Sequence, residues 1–330
     1  MLNFVRSSII AIAIGSCTAA MAADHVTFQL DWLPGGDKAP VYVGIQEGFF
    51  RAENLDVKVA TGRGSTDAIT KIATGQADIG MADIGALMAA KAQDDVPVSA
   101  VAAYFTQAPH AFFVLSNSGI HNIKDLAGKK VATSPFTSSN AFLPLVLKQN
   151  GLSDKDITLI KADPGALGPM LMTGNTQAII AWVTNTALYK AQAAQAGKTI
   201  TVLPWSEGGL SLYSSSIIAS DRFLSERPEV AKRFIKAFEK AVVYTYAHPE
   251  KAGEDLHDIV PEVDPKIAAA QIHSIYDLVY NKISQSDGFG VLTAKRLTTT
   301  WQYVAKANDL SPDSLNPEKI VNKAFMPTPN

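Results

Sequence analysis

The chain holds a single cysteine, Cys17, among 330 residues. It therefore has no internal disulfide and no centre built on several thiolates. Charge is sparse and balanced: 18% of residues are charged, 29 basic against 31 acidic, for a formal net of −2. That balance argues against an electrostatic nucleic-acid binder. With 47% apolar residues, a disordered polyelectrolyte is also excluded. No apolar run approaches the ~20 residues needed to span a bilayer. The histidines (His25, His110, His121, His248, His257, His273) form no H-x-x-x-H or H-E-x-x-H pair. Neither a G-x-S-x-G elbow nor a P-loop occurs. The reading is of a chain with no metal site, no cofactor and no catalytic set.

The amino end does carry a signal. Arg6 is the only charge before Asp24, Ser7 to Ser16 is a short apolar stretch, and Ala20 and Ala22 form an A-x-A end. This reads as a secretory signal over residues 1–23, leaving a mature chain that starts near Asp24 in the periplasm. Ile14-Gly15-Ser16-Cys17 loosely matches a lipoprotein box, so lipid anchoring at Cys17 is the alternative.

The body alternates strands and helices. Strands are expected at Val26 to Leu30, Val57 to Ala60, Ile79 to Ala82 and Val98 to Tyr104. Between them, Val41, Ile45 and Phe49 mark one face of a helix over Ala39 to Phe50, with Pro40 in its first turn. Ser65 is placed to cap a second helix, stopped by Gly75. A similar set follows: strands at Lys130 to Thr133, Ile157 to Lys161, Ala178 to Ala181 and Thr201 to Leu203, with helices over Ser138 to Gln149 and Ala166 to Thr173. This βαβα rhythm implies largely parallel sheets with helices on both faces.

The two sets echo each other faintly. Thr74-Gly75-Gln76 and Asp83 line up with Thr173-Gly174-Asn175 and Trp182, ninety-nine positions later. Asp83 and Trp182 are thus expected at equivalent strand ends, which face the ligand crevice in such sheets. Ala111 to Leu115 and Leu212 to Ala219 read as two strands crossing between lobes. The expected division is 24–115 plus 214–330 for the first lobe with a helical tail, and 116–213 for the second. In the tail, Ser225 is placed to cap a helix from Pro228, with Val230, Phe234, Phe238, Ala241 and Thr245 on one face. A further helix is expected over Lys266 to Ile283.

The most specific words are Gln29-Leu30-Asp31-Trp32-Leu33-Pro34 and Val41-Tyr42-Val43-Gly44-Ile45-Gln46-Glu47-Gly48-Phe49-Phe50. With Gly64-Ser65-Thr66, Gly75-Gln76-Ala77-Asp78-Ile79-Gly80, Asp125-Leu126-Ala127-Gly128-Lys129-Lys130 and Phe223-Leu224 to Pro228-Glu229-Val230, they form an ordered series over about residues 25 to 250. The series resembles the solute-binding proteins of ABC importers, in the thiamine-pyrimidine-precursor and sulfonate, nitrate and taurine group. The resemblance implies a two-lobed type II periplasmic-binding-protein fold. It also implies a monomer that captures a small solute by lobe closure and delivers it to an inner-membrane ABC permease. A single-turnover pyrimidine synthase, drawing on its own histidine and lysine with iron, shares the Leu30-Asp31-Trp32 word. Its cysteine-rich run is absent here, and export argues against it. A transcription-factor sensor of this fold would need a helix-turn-helix where the signal stands.

Crevice candidates follow from residue type. Trp32 and Trp182 are placed to stack on a flat ring, or to pack their loops. Gly64, Ser65 and Thr66 open a helix whose free N–H groups suit an anionic or carbonyl oxygen; Ser65 capping that helix is the plainer role. Ser134, Phe136, Thr137 and Ser138 form the matching loop of the second lobe. Arg63 suits an acidic solute or stands solvated. Asp83 and Asp37 suit an amine, or cap the helices they precede. Gln107 and Asn185 are amide candidates, Tyr213 is a contact or hinge core, and Glu207 reads as solvated. Two aromatic walls with Asp83 favour an aminopyrimidine-like heterocycle; Arg63 and the helix-start loops favour an aromatic carboxylate or organosulfonate.

Overall fold

The computed structural model describes residues 22–208 and 212–327. Cys17 and nearly all of the expected signal segment lie outside the described residues. Among the described residues, ten strands form two five-stranded sheets. The first contains β1 (Asp24–Gln29), β2 (Leu55–Ala60), β3 (Ile79–Asp83) and β4 (Val98–Ala103); the second contains β5 (His110–Leu115), β6 (Lys130–Thr133), β7 (Thr158–Lys161), β8 (Ala178–Trp182) and β9 (Ile200–Pro204). The last strand, β10 (Ser215–Ser220), returns to the first sheet. The orders are β2-β1-β3-β10-β4 and β7-β6-β8-β5-β9. In each sheet the first three strands run parallel and the fourth is antiparallel to both neighbours. The expected α/β two-lobed periplasmic-binding-protein architecture is present.

The antiparallel strand of each sheet is the one that has just arrived from the other lobe. Neither strand itself crosses, contrary to expectation. The first passage lies at residues 104–109, before β5, rather than near residue 116. The second ends at Ser214. The passages bond to each other: Ser214 N–H donates to the Phe105 carbonyl at 3.1 Å, and Phe105 N–H to that of Ser215 at 2.8 Å. Asp83 and Trp182 do end the third strand of their sheets, where they pair with Ser215 and His110.

The long helix Pro228–Ala247 buries Val230, Phe234, Phe238, Ala241 and Thr245, the face its spacing marked. Phe28 of β1 stacks on both Phe234 at 5.6 Å and Phe238 at 5.7 Å, which themselves stack at 6.1 Å. Each such ring contributes about 1.5–3 kcal/mol on burial. Other local expectations give way to backbone geometry. Gly48, at φ +74°, ends the helix Ala39–Gln46, and a separate short helix Phe49–Ala52 follows. Gly64, not Ser65, stands at the start of the helix Ser65–Ala73. Ser225 donates to the Arg222 carbonyl instead of capping the helix from Pro228. The stretch expected as one helix over 266–283 is broken into Pro265–Ser274, Tyr276–Val279 and the start of Lys282–Asp287. The helices Pro249–Ile259 and Ala294–Ala307 complete the tail.

Candidate functional site

A crevice lies between the sheets. Its inner pocket is lined by Asp31, Trp32, Asp37, Gly64 and Ser65 from the first lobe and by Thr137, Ala181, Trp182, Thr184 and Asn185 from the second. The lobes are closed, so this pocket holds only about 10 Å³, roughly one water. An outer chamber of about 610 Å³ continues it, sharing Trp32, Asp37 and Asn185.

Beside the pocket sits a buried charge cluster. Lys38 Nζ lies 2.6 Å from Asp31 Oδ1 and 3.0 Å from Asp37 Oδ2, with no side-chain exposure on the lysine. Burial alone would lower the Lys38 pKa, but the two carboxylates outweigh it and hold the ammonium above its ordinary range. Burial pushes Asp31 up, and Lys38 draws it back only in part. With one ammonium against two carboxyls the cluster carries no net positive charge. The ammonium also stands 5.3 Å from the Trp182 ring centroid, a cation–π contact across the lobes. The Trp182 indole N–H is buried without a hydrogen-bond partner.

Several expected residues join the lobes instead of lining the pocket. The Phe136 carbonyl accepts from Thr66 N–H at 3.2 Å and Thr66 Oγ1 at 2.8 Å. The second lobe itself thus occupies the helix start proposed for an anion. Ser134 donates to the Arg63 carbonyl at 2.7 Å. The Arg63 guanidinium stacks over Phe136 at 4.5 Å and pairs with Asp67 at 3.2 Å. Gly64 has φ +154°, and a Cβ there would lie 2.1 Å from the Phe136 backbone, so only glycine permits this approach. A second clasp uses Gln271, which accepts from Gly36 N–H at 2.8 Å and donates to the Thr184 carbonyl at 2.9 Å.

Asp83 is fully buried and caps the helix Ile84–Asp94, accepting from Gly85 N–H at 2.8 Å and Ala86 N–H at 3.4 Å. Its other oxygen accepts from Ser214 at 2.6 Å and lies 3.6 Å from His110 Nε2. Burial raises Asp83 to about 6 and lowers His110 to about 3. His110 Nδ1 meets Ser139 Oγ at 2.9 Å. This carboxylate serves the passages between lobes and does not line the pocket. Ser65 connects the two acids: its Oγ accepts from Asp83 N–H at 3.0 Å and reaches Asp31 Oδ2 at 3.5 Å.

Tyr213 is buried against the tail, donating to the Val291 carbonyl at 3.2 Å, so it belongs to the hinge core. Ser138 is buried behind the loop, and Gln107 is exposed; neither lines the pocket. The Glu207 side chain lies outside the described residues. Asp31, Lys38, Thr184 and Gln271 were not singled out from sequence. Asp31 and Lys38 had a signal, since an acid inside the Leu30-Asp31-Trp32 word stands near an Asp-Lys pair. Gln271 had none, being 235 residues from its Gly36 partner.

The family model described as "NMT1/THI5 like" matches residues 36–252. The 4-amino-5-hydroxymethyl-2-methylpyrimidine phosphate synthase THI13 of Saccharomyces cerevisiae is 24% identical over 266 residues, 78% of this chain and 77% of its own. The riboflavin-binding protein RibY of Chloroflexus aurantiacus is 24% identical over 295 residues, 87% of this chain and 82% of its own. Among solved structures, the alkanesulfonate-binding protein SsuA of Xanthomonas axonopodis pv. citri, bound to MOPS, matches with a TM-score of 0.69. It is 16% identical, and the match covers 92% of this chain and 98% of that one. The likeness supports the fold.

Proposed function

The chain belongs to the NMT1/THI5-like family, and from that premise we propose that it is the exported solute receptor of an ABC importer. It captures a small planar heterocycle with N–H donors, such as an aminopyrimidine, and delivers it to an inner-membrane permease as a monomer. The observation that carries this reading is the inner pocket, where two tryptophans meet a carboxylate cluster of no net positive charge. Aromatic faces suit a flat ring, and carboxylates accept from its N–H edge. The carboxylate role expected of Asp83 passes to Asp31 and Asp37. An organosulfonate or aromatic carboxylate is disfavoured by the same cluster. Arg63 is paired with Asp67, and the Phe136 carbonyl fills the helix start.

Among the described residues no helix is long and apolar enough to cross a membrane. Periplasmic residence follows from the signal reading, and fractionation of the expressed chain tests it. The binding test is a thermal-shift screen with aminopyrimidines, riboflavin, aromatic carboxylates, alkanesulfonates and nitrate. A solute at a hundred times its dissociation constant adds about 2.7 kcal/mol. Shifts by neutral or basic heterocycles support the reading; shifts confined to acids overturn it. The yeast relative supports a second reading, a pyrimidine phosphate synthase on this fold. Intact mass before and after incubation with iron separates the two: a synthase that consumes its own side chains loses mass, and a receptor does not.

A further inference from the structure

The outer chamber differs in its chemistry from the inner pocket. Its volume of about 610 Å³ lies within the roughly 300–1,000 Å³ of small-molecule sites. The first lobe supplies Trp32 and Leu33, the second Gly165 and Gln192, and the tail Glu262 and Gln271. The tail wall lies beyond the matched stretch 36–252. Among the described residues no lysine or arginine lines the chamber, whereas Asp37, Glu262 and Asp264 do. Leu33 is 40% exposed at this surface, an apolar side chain left for an occupant to cover.

Resting on the planar-solute reading, we propose that the outer chamber is a second subsite, for a polar arm attached to the ring. The arm is uncharged or cationic and donates hydrogen bonds; an anionic arm would face Glu262 and Asp264, while Lys38, the cation beside Asp37, is already paired. The inner-pocket walls, which as they stand leave room for about one water, part to take the ring, and Trp32, common to both spaces, lies at the junction.

Calorimetric titration of the purified full chain tests this with two series. One is lumichrome, riboflavin and FMN; the other is 4-amino-2-methylpyrimidine, thiamine and thiamine phosphate. In at least one series the unphosphorylated arm should tighten binding tenfold or more over the bare ring, and phosphate should remove that gain. Gly165→Trp is the blocking variant, since a Cβ at Gly165 meets nothing within 4 Å. It should abolish the gain while leaving bare-ring affinity within about twofold. A bare ring that binds as tightly as its arm-bearing form overturns the subsite and leaves the planar-solute reading standing. Equal weakening of ring and arm-bearing ligand by Gly165→Trp also overturns it. Binding of no ring compound in either series overturns both.

Discussion

Asp31 and Asp83 are both buried carboxyls, just past β1 and at the end of β3, neighbouring strands of one sheet. Their surroundings make them opposites. Asp31 faces the crevice and is matched by an ammonium, Lys38. Asp83 faces the passages between lobes and is matched by dipoles, from two helix N–H groups and the Ser214 hydroxyl. An ion pair can exchange a partner for a solute group, whereas a cap is already spent on its own helix. A strand-end carboxylate in this fold therefore has no fixed role; what packs around it decides.

The strongest way to break the comparison is Lys38→Met. It leaves two buried carboxyls without a cation, a change that costs about 3–5 kcal/mol. Urea unfolding should show that loss at neutral pH, with partial recovery as acid protonates the carboxyls. A small loss would mean the cluster is solvated and the contrast with Asp83 is false. Next comes the matched pair Asp31→Asn and Asp83→Asn. The first should weaken binding of the cognate heterocycle tenfold or more. The second should leave affinity within about twofold and cost about 1–2 kcal/mol of stability through weakened hydrogen bonds. Equal effects on affinity would erase the distinction.

The pH profile sharpens it further. Asp83, raised from 3.8 to about 6, loses stability as pH rises between those values. His110, lowered from 6.5 to about 3, loses stability as pH falls between its values. The slopes oppose each other from about pH 4 to 6 and should largely cancel. Asp83→Asn should expose the histidine, with stability falling on acidification about 1.4 kcal/mol per pH unit more steeply than in the parent. His110→Gln should do the reverse and gain relative stability over the same window. Parallel profiles for all three proteins would show that the two groups do not titrate as a buried pair. The smallest effect is expected from Thr66→Val, which removes one hydroxyl bond to Phe136 and costs about 0.5–1.5 kcal/mol. Small-angle scattering should then show a larger radius without ligand; an unchanged radius would give the clasp no part in closure.

Much of this was legible beforehand. Helix faces such as Val230 to Thr245 and strands such as Ile79 to Ala82 follow from side-chain period, because burial repeats with backbone geometry. The equivalence of Asp83 and Trp182 was readable from a ten-residue echo and reappears as the same place in two sheets. The site was legible in part. Of the crevice candidates, Trp32, Asp37, Gly64, Ser65, Thr137, Trp182 and Asn185 line the inner pocket. Arg63, Thr66, Ser134 and Phe136 sit in the loops expected of them but contact the opposite lobe. They hold lobe to lobe, since a helix N-terminus binds a protein carbonyl as readily as an anion.

The sequence by itself determined the two βα sets, the apolar faces that bury them and the loops at the strand ends, because these depend on local period and backbone preference. Only the tertiary structure decided which lobe each passage serves, which carboxylate meets the crevice, and that Gln271 of the tail fastens Gly36 to Thr184. The passages, the clasp and the Ser214 bond to Asp83 are contacts between residues far apart in the chain. No local propensity specifies those long-range contacts, which packing of distant segments supplies.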